Sequence, residues 1–497
     1  MKRPRSLISL SCARAVMVLT ALTRFALPLA AGASARDGAR RAATGPLSVH
    51  PDNPRYFADA SGKAVYLTGS HTWASLQDTL PVGGRSTSFD YAAYLDFLEK
   101  HNHNFFRLWA WESTTWVSKD SRNALISPLP FARAGPGKAL DGKPKFDVTR
   151  FNQAYFDRLR ARVEAAQDHG CYVAVMLFQG FSVARKSRRR KGTPWTGHPL
   201  NKSNNRNGVD GDTDGDGDGY EAHTLGNPAV TRVQEAYVRK VIDMVNDLDN
   251  VIYEISNESH GDSTEWQYHF VRFIHEHEKH KPKQHPVWMS FQWDGIAGPG
   301  SNRNLWKSPA EAVSPARDDR DKSLHPYRGD PPATNAGKVV LCDTDHIWGV
   351  GGNVAWVWKS LTRGLQPIFM EPYKNSLWNP SANIEAKWDP VRRAMGHSLV
   401  LANRMDLAAM TPQDNLASTR YCLANPGREY LVYLPSGGEI SMDLSATEEL
   451  LAVEWFDPRR GKTIEAAGVR GGQQRTLTAP FAGHAVLYLV LAGSQQD

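Results

Sequence analysis

The stretch Asn250–Glu258 reads NVIYEISNE, an apolar strand that ends in an Asn-Glu pair. A second apolar stretch, Pro367–Met370, is followed directly by Glu371. Continuous apolar runs of this length are typical of parallel strands that are buried on both faces. In a closed barrel of parallel strands, the residues at the carboxyl ends of the strands face one common mouth. The two carboxylates are therefore predicted to lie in one pocket.

Similar apolar runs recur through most of the chain and alternate with helical patterns. The strand candidates are Val65–Gly69, Asn104–Trp109, Cys171–Phe178, Val251–Ser256, Pro286–Phe291, Lys338–Cys342, Pro367–Met370 and Asp406–Met410. Apolar residues at helical spacing occupy 151–169, 228–249, 264–278 and 384–404 between them. Eight strand–helix units predict an α/β fold, a (β/α)₈ TIM barrel over residues 61–416.

The two ends of the chain have different patterns. Residues 417–497 contain short strand-like runs such as Glu429–Leu434, separated by turn sequences rich in Pro and Gly. This pattern predicts a small antiparallel β-sandwich as an accessory domain. Residues 36–60 are predicted to form an N-terminal segment with a β-hairpin.

The first 35 residues resemble an export signal. A basic start is followed by apolar stretches and by Ala33-Ser34-Ala35, which fits a cleavage site. We therefore expect a secreted or periplasmic protein. No uncharged apolar run of about 18 residues is present, so no stable membrane span is expected. Three cysteines remain after this segment, too few and too scattered for a disulfide framework.

The net charge of +7 comes mainly from this segment. Residues 1–35 hold five Lys or Arg and no acid, so 54 of the 59 basic residues remain against 52 acidic ones. A nearly balanced chain gives no support for nucleic-acid binding. We expect a monomer.

Two carboxylates at opposite sides of a barrel mouth are what a retaining glycosidase requires. With Glu258 after strand four and Glu371 after strand seven, Glu258 is predicted to be the general acid and base. Glu371 is predicted to be the nucleophile, and Asn257 to hydrogen-bond the sugar 2-hydroxyl. The alternative is that each Glu is a surface residue just beyond a strand.

The segment Asp210–Glu221 reads DGDTDGDGDGYE and fits the calcium-loop template with Glu at position twelve. The flanking sequence lacks the helices of a paired EF-hand. A single structural Ca²⁺ is expected, with a solvated acidic loop as the alternative. The candidate ligands are Asp210, Asp212, Asp214, Asp216, Asp218 and Glu221.

The chain resembles glycoside hydrolase clan A, which includes the family 5 enzymes. The resemblance is closer to barrels of the domain of unknown function 4038 type, which family 140 apiosidases resemble, followed by a collagen-binding domain of a collagenase. The segments that carry this resemblance are Gly69–Trp73, Phe106–Trp109, Tyr155–Leu159, Val175–Phe178, Asn257-Glu258, Glu371-Pro372 and Glu454–Pro458. They span nearly the whole chain after residue 35. Ser259 stands where family 5 usually has Pro, and the usual strand-six Tyr is replaced or displaced.

The resemblance also implies further site residues. Arg107 is expected to hydrogen-bond Glu371 and keep it ionised, and His346 to orient a carboxylate or a sugar hydroxyl. Aromatic side chains at or beyond the strand ends are candidates for stacking on sugar rings. Those candidates are Trp73, Trp109, Trp111, Trp195, Trp348 and Trp378, of which two or three are expected to touch sugar. The basic run Arg185–Lys191 suits an acidic polysaccharide, but a solvated charge run is favoured.

Two other classes of protein are alternatives to a secreted glycosidase. A non-catalytic carbohydrate- or protein-binding barrel fits the same composition. A metalloprotease does not, because the sequence holds no H-E-x-x-H motif.

Overall fold

The computed structural model describes residues 42–81, 88–117, 123–183, 193–293, 300–321, 323–335, 337–373 and 386–493. The predicted export signal, the basic run Arg185–Lys191 and Trp378 lie outside the described residues.

The strands are β1 (Ser48–Val49), β2 (Phe57–Ala58), β3 (Ala64–Val65), β4 (Gly69–His71), β5 (Asp78–Pro81), β6 (Phe105–Leu108), β7 (Thr115–Val117), β8 (Asn123–Ser127), β9 (Phe131–Lys138), β10 (Pro144–Phe151), β11 (Tyr172–Gln179), β12 (Val251–Asn257), β13 (Val287–Ser290), β14 (Ala312–Ser314), β15 (Val339–Asp343), β16 (Gln366–Met370), β17 (Thr411–Pro412), β18 (Cys422–Asn425), β19 (Glu429–Leu434), β20 (Gly437–Asp443), β21 (Leu450–Asp457), β22 (Lys462–Arg470), β23 (Gln474–Ala482) and β24 (Ala485–Leu491). The α-helices are α1 (Tyr91–Lys100), α2 (Gln153–Asp168), α3 (Pro228–Val245), α4 (Thr264–Glu278), α5 (Asn302–Lys307), α6 (Pro326–Gly329), α7 (Thr344–Ile347), α8 (Val354–Thr362) and α9 (Asp389–Ala402).

Eight parallel strands form one sheet in the order β4-β16-β15-β14-β13-β12-β11-β6. Its two outer strands approach each other, and Asn104 N donates to Thr68 O at 3.0 Å just before them. A Cβ atom on Gly69 would lie 2.0 Å from Phe105 O, so only glycine allows this approach. The sheet is thus nearly closed, and the predicted TIM barrel is confirmed.

The predicted numbering of the strands is wrong in the second half of the barrel. Asp406–Met410, expected as strand eight, forms turns after α9. The three-residue strand β14 was not predicted, and it occupies the sixth place in the barrel. Consequently β15 is the seventh barrel strand and β16 is the eighth, so Glu371 follows strand eight and not strand seven.

The barrel interior is apolar at its lower level and charged above. Phe105, Ile252 and Leu341 belong to a buried cluster that fills the space between the strands. Side chains two residues further along a strand point to the same face. At that next level β6, β12 and β15 carry Arg107, Glu254 and Asp343, which are completely buried. This charged level is the floor of the barrel mouth.

The C-terminal strands form an antiparallel domain. One sheet has the order β17-β18-β19-β24-β21-β22, and β20 pairs with β23. The domain begins with Thr411, a few residues before the predicted boundary at 416. A buried cluster that includes Trp358, Leu399 and Phe456 joins it to α8 and α9 of the barrel.

At the other end, β1, β2 and β3 form a three-stranded sheet where the sequence predicted a hairpin. Cys171, Cys342 and Cys422 are buried, and no disulfide joins them within the residues that the structure describes. Within the described part of the chain, no helix is both long and apolar enough to cross a membrane.

Candidate active site

Arg107 lies at the centre of the barrel mouth. Its Nε donates to Glu254 Oε2 at 2.9 Å, and its Nη2 donates to the other oxygen of the same carboxylate. Nη1 reaches Asp343 Oδ2 at 3.1 Å and Asp345 Oδ2 at 3.2 Å. Nη2 also donates to Asn257 Oδ1 at 2.6 Å. One guanidinium therefore ties together the ends of barrel strands two, four and seven.

The electrostatics of this guanidinium favour its charged form. Burial opposes the charge, but Glu254, Asp343 and Asp345 outweigh that cost and raise the pKa of Arg107. The guanidinium carbon of Arg107 also lies 4.6 Å from the centre of the Trp109 ring. This arrangement differs from the expected one, in which Arg107 would bind Glu371.

Asp343, the last residue of β15, is held on both oxygens. Oδ1 bonds His71 Nε2 at 3.0 Å and accepts from the backbone N of Asp345 at 2.9 Å, while Oδ2 binds Arg107. Burial raises the pKa of Asp343, but His71 and Arg107 more than reverse that effect and lower it. Asp343 is consequently a fixed, fully buried anion in the wall of the mouth.

Asp345 lies two residues further along the chain and is more accessible. Its side chain is 6% exposed, against 0% for Asp343. Burial raises the pKa of Asp345 to about 6; Arg107 opposes this rise and Asp343 adds to it. Asp345 is thus a partly exposed carboxylate with a raised pKa and one hydrogen bond to Arg107, at 3.2 Å.

His346 is buried beside Asn257. Its Nε2 lies 3.1 Å from Asn257 Oδ1, and its Nδ1 lies 3.4 Å from Ser314 Oγ. Burial and the charge of Arg107 lower the pKa of His346 to about 3, so the ring is neutral at pH 7. Because Asn257 Oδ1 is an acceptor, Nε2 must carry the proton and donate it. His346 therefore fixes the orientation of Asn257, whose Nδ2 donates to Gln179 Oε1 at 3.4 Å.

Glu258 follows Asn257 in an unusual backbone conformation. Its φ is +51°, in the left-handed region that non-glycine residues seldom occupy. The residue is partly exposed, unlike its neighbours Asn257 and Ser259, which are buried. Such a conformation persists where the surrounding structure holds it, and it is common at functional sites.

Glu371, the predicted nucleophile, lies in a separate ion pair. Arg392 of α9 donates to both of its oxygens, from Nε at 2.7 Å and from Nη2 at 2.6 Å. The residue is 1% exposed. Burial raises the pKa of Glu371, and Arg392 counteracts part of that rise. Both oxygens of Glu371 therefore accept hydrogen bonds from Arg392, which lies on a helix outside the barrel strands.

The predicted stacking residues are mostly enclosed. Trp109 and Trp73 are buried, and their rings pack against each other with centroids 5.9 Å apart. Trp111 and Trp195 are also buried. Trp348 is partly exposed and meets Trp356 edge-on. Among the described candidates, Trp348 is therefore the one that is not buried.

Some of the predicted calcium ligands lie close together in the acidic loop. Carboxylate oxygens of Asp212, Asp214 and Asp216 lie within 4.8 Å of one another. Gly215 has φ +75°, as the sharp turn of such a loop requires. Asp210 instead pairs with Lys202 at 2.8 Å, and Asp218 is buried. Glu221 at position twelve has one buried oxygen, Oε2, without a hydrogen-bond partner in the described structure.

The sequence interpretation missed Asp343 and Asp345 as site residues. The signal was present, because Asp-Thr-Asp-His follows an apolar strand just as Asn-Glu does. β14 is only three residues long and lies in a segment rich in Pro and charge, so it shows no strand pattern, and β15 is numbered sixth instead of seventh. His71 and Glu254 were missed because an inward-facing polar residue inside an apolar strand leaves no local pattern.

Family models match two segments of the chain. Residues 124–295 match the "Domain of unknown function (DUF6298)", which spans the barrel from β8 to just beyond β13. Residues 409–491 match the "Putative collagen-binding domain of a collagenase", which coincides with the C-terminal antiparallel domain. The barrel match differs from the domain of unknown function 4038 that the sequence resembles, so that finer resemblance stays a prediction. No curated protein matches the chain.

Solved structures share the whole architecture. A protein described as "Glycoside hydrolase" superposes with a TM-score of 0.57 at 12% identity, covering 91% of this chain and 98% of that one. A glycoside hydrolase family 5 structure from Bacteroides vulgatus gives a TM-score of 0.57 at 14% identity, covering 91% and 95%. At such identity the likeness establishes the fold, the barrel together with its C-terminal domain.

Proposed function

We propose that this protein hydrolyses O-glycosidic bonds of a poly- or oligosaccharide by double displacement. Glu258 is the general acid and base, and Asp345 is the nucleophile. The observation that carries the proposal is the shared guanidinium of Arg107, which binds Asn257 beside Glu258 and also binds Asp345. It links the ends of strands four and seven across one mouth, where a retaining mechanism needs its two carboxyl groups.

Asp345 is preferred to Glu371 as nucleophile for two reasons. A nucleophilic oxygen must approach the anomeric carbon, whereas both oxygens of Glu371 are bound by Arg392. Glu371 also follows the eighth strand, next to α9. Asp345 belongs to the segment after the seventh strand and contacts the same arginine as Asn257.

Asp345 is also preferred to Asp343. Asp343 accepts hydrogen bonds on both oxygens and is fully buried, so attack by it would break several bonds. Asp345 has one arginine contact and remains partly exposed. Asp343 then serves to hold His71 and Arg107 in place behind the reacting carboxylate.

The reaction proceeds in two balanced steps. In the first, the protonated Glu258 carboxyl gives its proton to the glycosidic oxygen, the bond from that oxygen to the anomeric carbon breaks, and an Asp345 oxygen bonds that carbon. In the second, Glu258 takes a proton from water, the water oxygen bonds the anomeric carbon, and Asp345 leaves as a carboxylate. Arg107 stabilises the Asp345 carboxylate at the start and at the end.

Kinetics with a panel of aryl glycosides tests the proposal. Wild-type protein is expected to release the phenol, and Glu258→Gln and Asp345→Asn to lose about 10²-fold to 10⁴-fold in kcat, the usual worth of such groups. Glu371→Gln is the comparison variant and is expected to retain activity while losing stability. A wild-type protein inactive on every glycoside would instead favour a non-catalytic binding barrel.

We also propose that the loop Asp210–Glu221 binds one structural Ca²⁺. The convergence of Asp212, Asp214 and Asp216 and the unpartnered Oε2 of Glu221 support this proposal. Hard carboxylate oxygens at alternate positions suit Ca²⁺. The ion would order the loop that leads into the residues beside the mouth.

A further inference from the structure

A second polar cluster lies beside the mouth and is not used by the mechanism above. Glu112, which follows β6, accepts hydrogen bonds from Gln179 N at 2.7 Å and from His223 Nε2 at 3.1 Å. His198 Nε2 adds a longer contact at 3.3 Å. Burial opposes the charge of Glu112, but His223 and His198 outweigh it and lower the pKa of Glu112 to about 2. The cluster is therefore built around a permanent anion.

Both ring nitrogens of His223 have hydrogen-bond partners. Its Nε2 faces the Glu112 carboxylate and so must carry a proton. Its Nδ1 lies 3.1 Å from Ser259 Oγ, and Ser259 Oγ lies 2.5 Å from Ser256 Oγ. The ring is locked in place because it stacks on Trp266 at 4.4 Å. The contact between Nδ1 and the Ser259 hydroxyl thus connects Ser259 through His223 to Glu112.

This chain of bonds ends one residue from Glu258. Ser259 is 1% exposed, and its carbonyl oxygen accepts from Trp293 N at 3.1 Å. On the other side, Gly180 lies so close that a Cβ there would be 2.3 Å from Glu258 O. The left-handed backbone at Glu258 is thus held between Gly180 and the Ser259 hydroxyl.

We propose that Glu112, His223 and Ser259 form a positioning chain that holds Glu258 in the orientation needed for proton transfer. The inference rests on the proposed function. None of the three residues contacts the reacting atoms in this account. Their contribution is geometric, since a proton donor must lie within hydrogen-bond reach of the glycosidic oxygen.

The dependence of rate on the leaving group distinguishes this role from a general contribution to stability. A phenyl glycoside needs a proton donor when its bond breaks, whereas a dinitrophenyl glycoside leaves without one. A misplaced Glu258 therefore slows the first substrate selectively. Partial loss of folded protein slows both substrates by the same factor.

The test compares kcat/KM for these two substrates in Ser259→Ala, His223→Gln and Glu258→Gln. Ser259→Ala is the milder change and keeps the test informative if His223→Gln folds poorly. For Ser259→Ala and His223→Gln we expect kcat/KM on the phenyl glycoside to fall about 10-fold to 10²-fold. This is part of the rate enhancement that a general acid contributes. The fall on the dinitrophenyl glycoside should stay within a few-fold.

His285→Gln is the matched control. His285 is also buried between a glutamate and a carbonyl, with Nδ1 2.9 Å from Glu278 Oε1 and Nε2 2.8 Å from Leu248 O. It precedes β13 and so lies at the opposite end of the barrel. For His285→Gln, we expect the ratio of kcat/KM on the phenyl glycoside to kcat/KM on the dinitrophenyl glycoside to equal that of wild type.

Equal losses on both substrates in Ser259→Ala and His223→Gln, or no loss in either, would overturn the positioning chain alone. If Glu258→Gln shows no selective loss on the phenyl glycoside, the acid and base assignment fails and the chain fails with it. A wild-type protein that cleaves neither substrate refutes the proposed function itself. The three failures are therefore distinguishable in one data set.

Discussion

Asp345 is the residue whose ionisation decides activity in this account. Burial raises its pKa to about 6, and a nucleophile must be ionised. Ionisation of Asp345 therefore governs the acidic side of the pH profile, and activity is lost as the pH falls through that value. We expect kcat/KM to fall about tenfold per unit of pH below about pH 6. Thermal unfolding measured over the same range separates this effect from loss of structure, and constant kcat/KM down to pH 4 would contradict it.

Arg107 supplies the second prediction at the residue scale. Arg107→Lys keeps the charge but cannot bind Glu254, Asn257 and Asp345 at once. Hydrogen bonds between charged groups are worth about 1.5–3 kcal/mol each, and about 1.4 kcal/mol is tenfold in rate. We expect kcat/KM to fall about 10²-fold or more.

Arg392→Lys is the control for that experiment. Arg392 also makes a bidentate pair of hydrogen bonds with a buried glutamate, Glu371, but outside the mouth. It should lower the unfolding temperature and leave kcat/KM within a few-fold. A large loss of activity in Arg392→Lys without loss of stability would return Glu371 to the catalytic role.

At the scale of single elements, the end of β11 is fitted closely to the turn that carries Glu258. A methyl group on Gly180 would collide with the backbone at Glu258 and Ser259, and a backbone collision cannot be relieved by rotating a side chain. Gly180→Ala should reduce kcat/KM at least tenfold. Gly329→Ala, where a Cβ meets nothing within 4 Å, should leave kcat/KM unchanged. Equal activity of the two variants would show that the Glu258 backbone is not held from this side.

The acidic loop is a second element with a direct test. Calorimetric titration of the EDTA-treated protein with Ca²⁺ should show one site, and Asp212→Asn together with Asp214→Asn should weaken binding, because each removes a negative ligand. Ca²⁺ should also raise the unfolding temperature, since a ligand that binds only the folded state stabilises it. A titration without heat and without a change in unfolding temperature would remove the proposed ion.

The extent of sequence prediction also differs from element to element. β12 was predicted because the apolar run Val251–Ser256, followed by Asn-Glu, gives a strong local signal, and all seven residues of the strand are buried. β14 was not, because three residues among Pro and charged neighbours are too short to show a period. Without β14, Glu371 is numbered after the seventh strand and becomes the predicted nucleophile. The roles of Arg107 and His223 depend on contacts with residues more than 30 positions away, which no local pattern records.

At the scale of the whole molecule, the barrel and the C-terminal domain share one buried cluster. Trp358 of α8 is fully buried, and its ring lies 5.7 Å from that of Phe456. Trp358→Ala should therefore destabilise the protein by about 3–5 kcal/mol, as is usual for a buried tryptophan. Because the cluster belongs to both domains, calorimetry of the wild type should show one unfolding transition. Two well-separated transitions would show that the domains are independent.

The central claim is that the nucleophile follows the seventh barrel strand. Incubation with deoxyfluoro glycosides carrying a good leaving group would trap the covalent glycosyl-enzyme, and peptide mass spectrometry would locate the sugar. We expect the label on Asp345, in the peptide that contains Asp343–His346, and none in an Asp345→Asn variant. A label on Glu371 would contradict the account and restore the assignment based on the sequence alone.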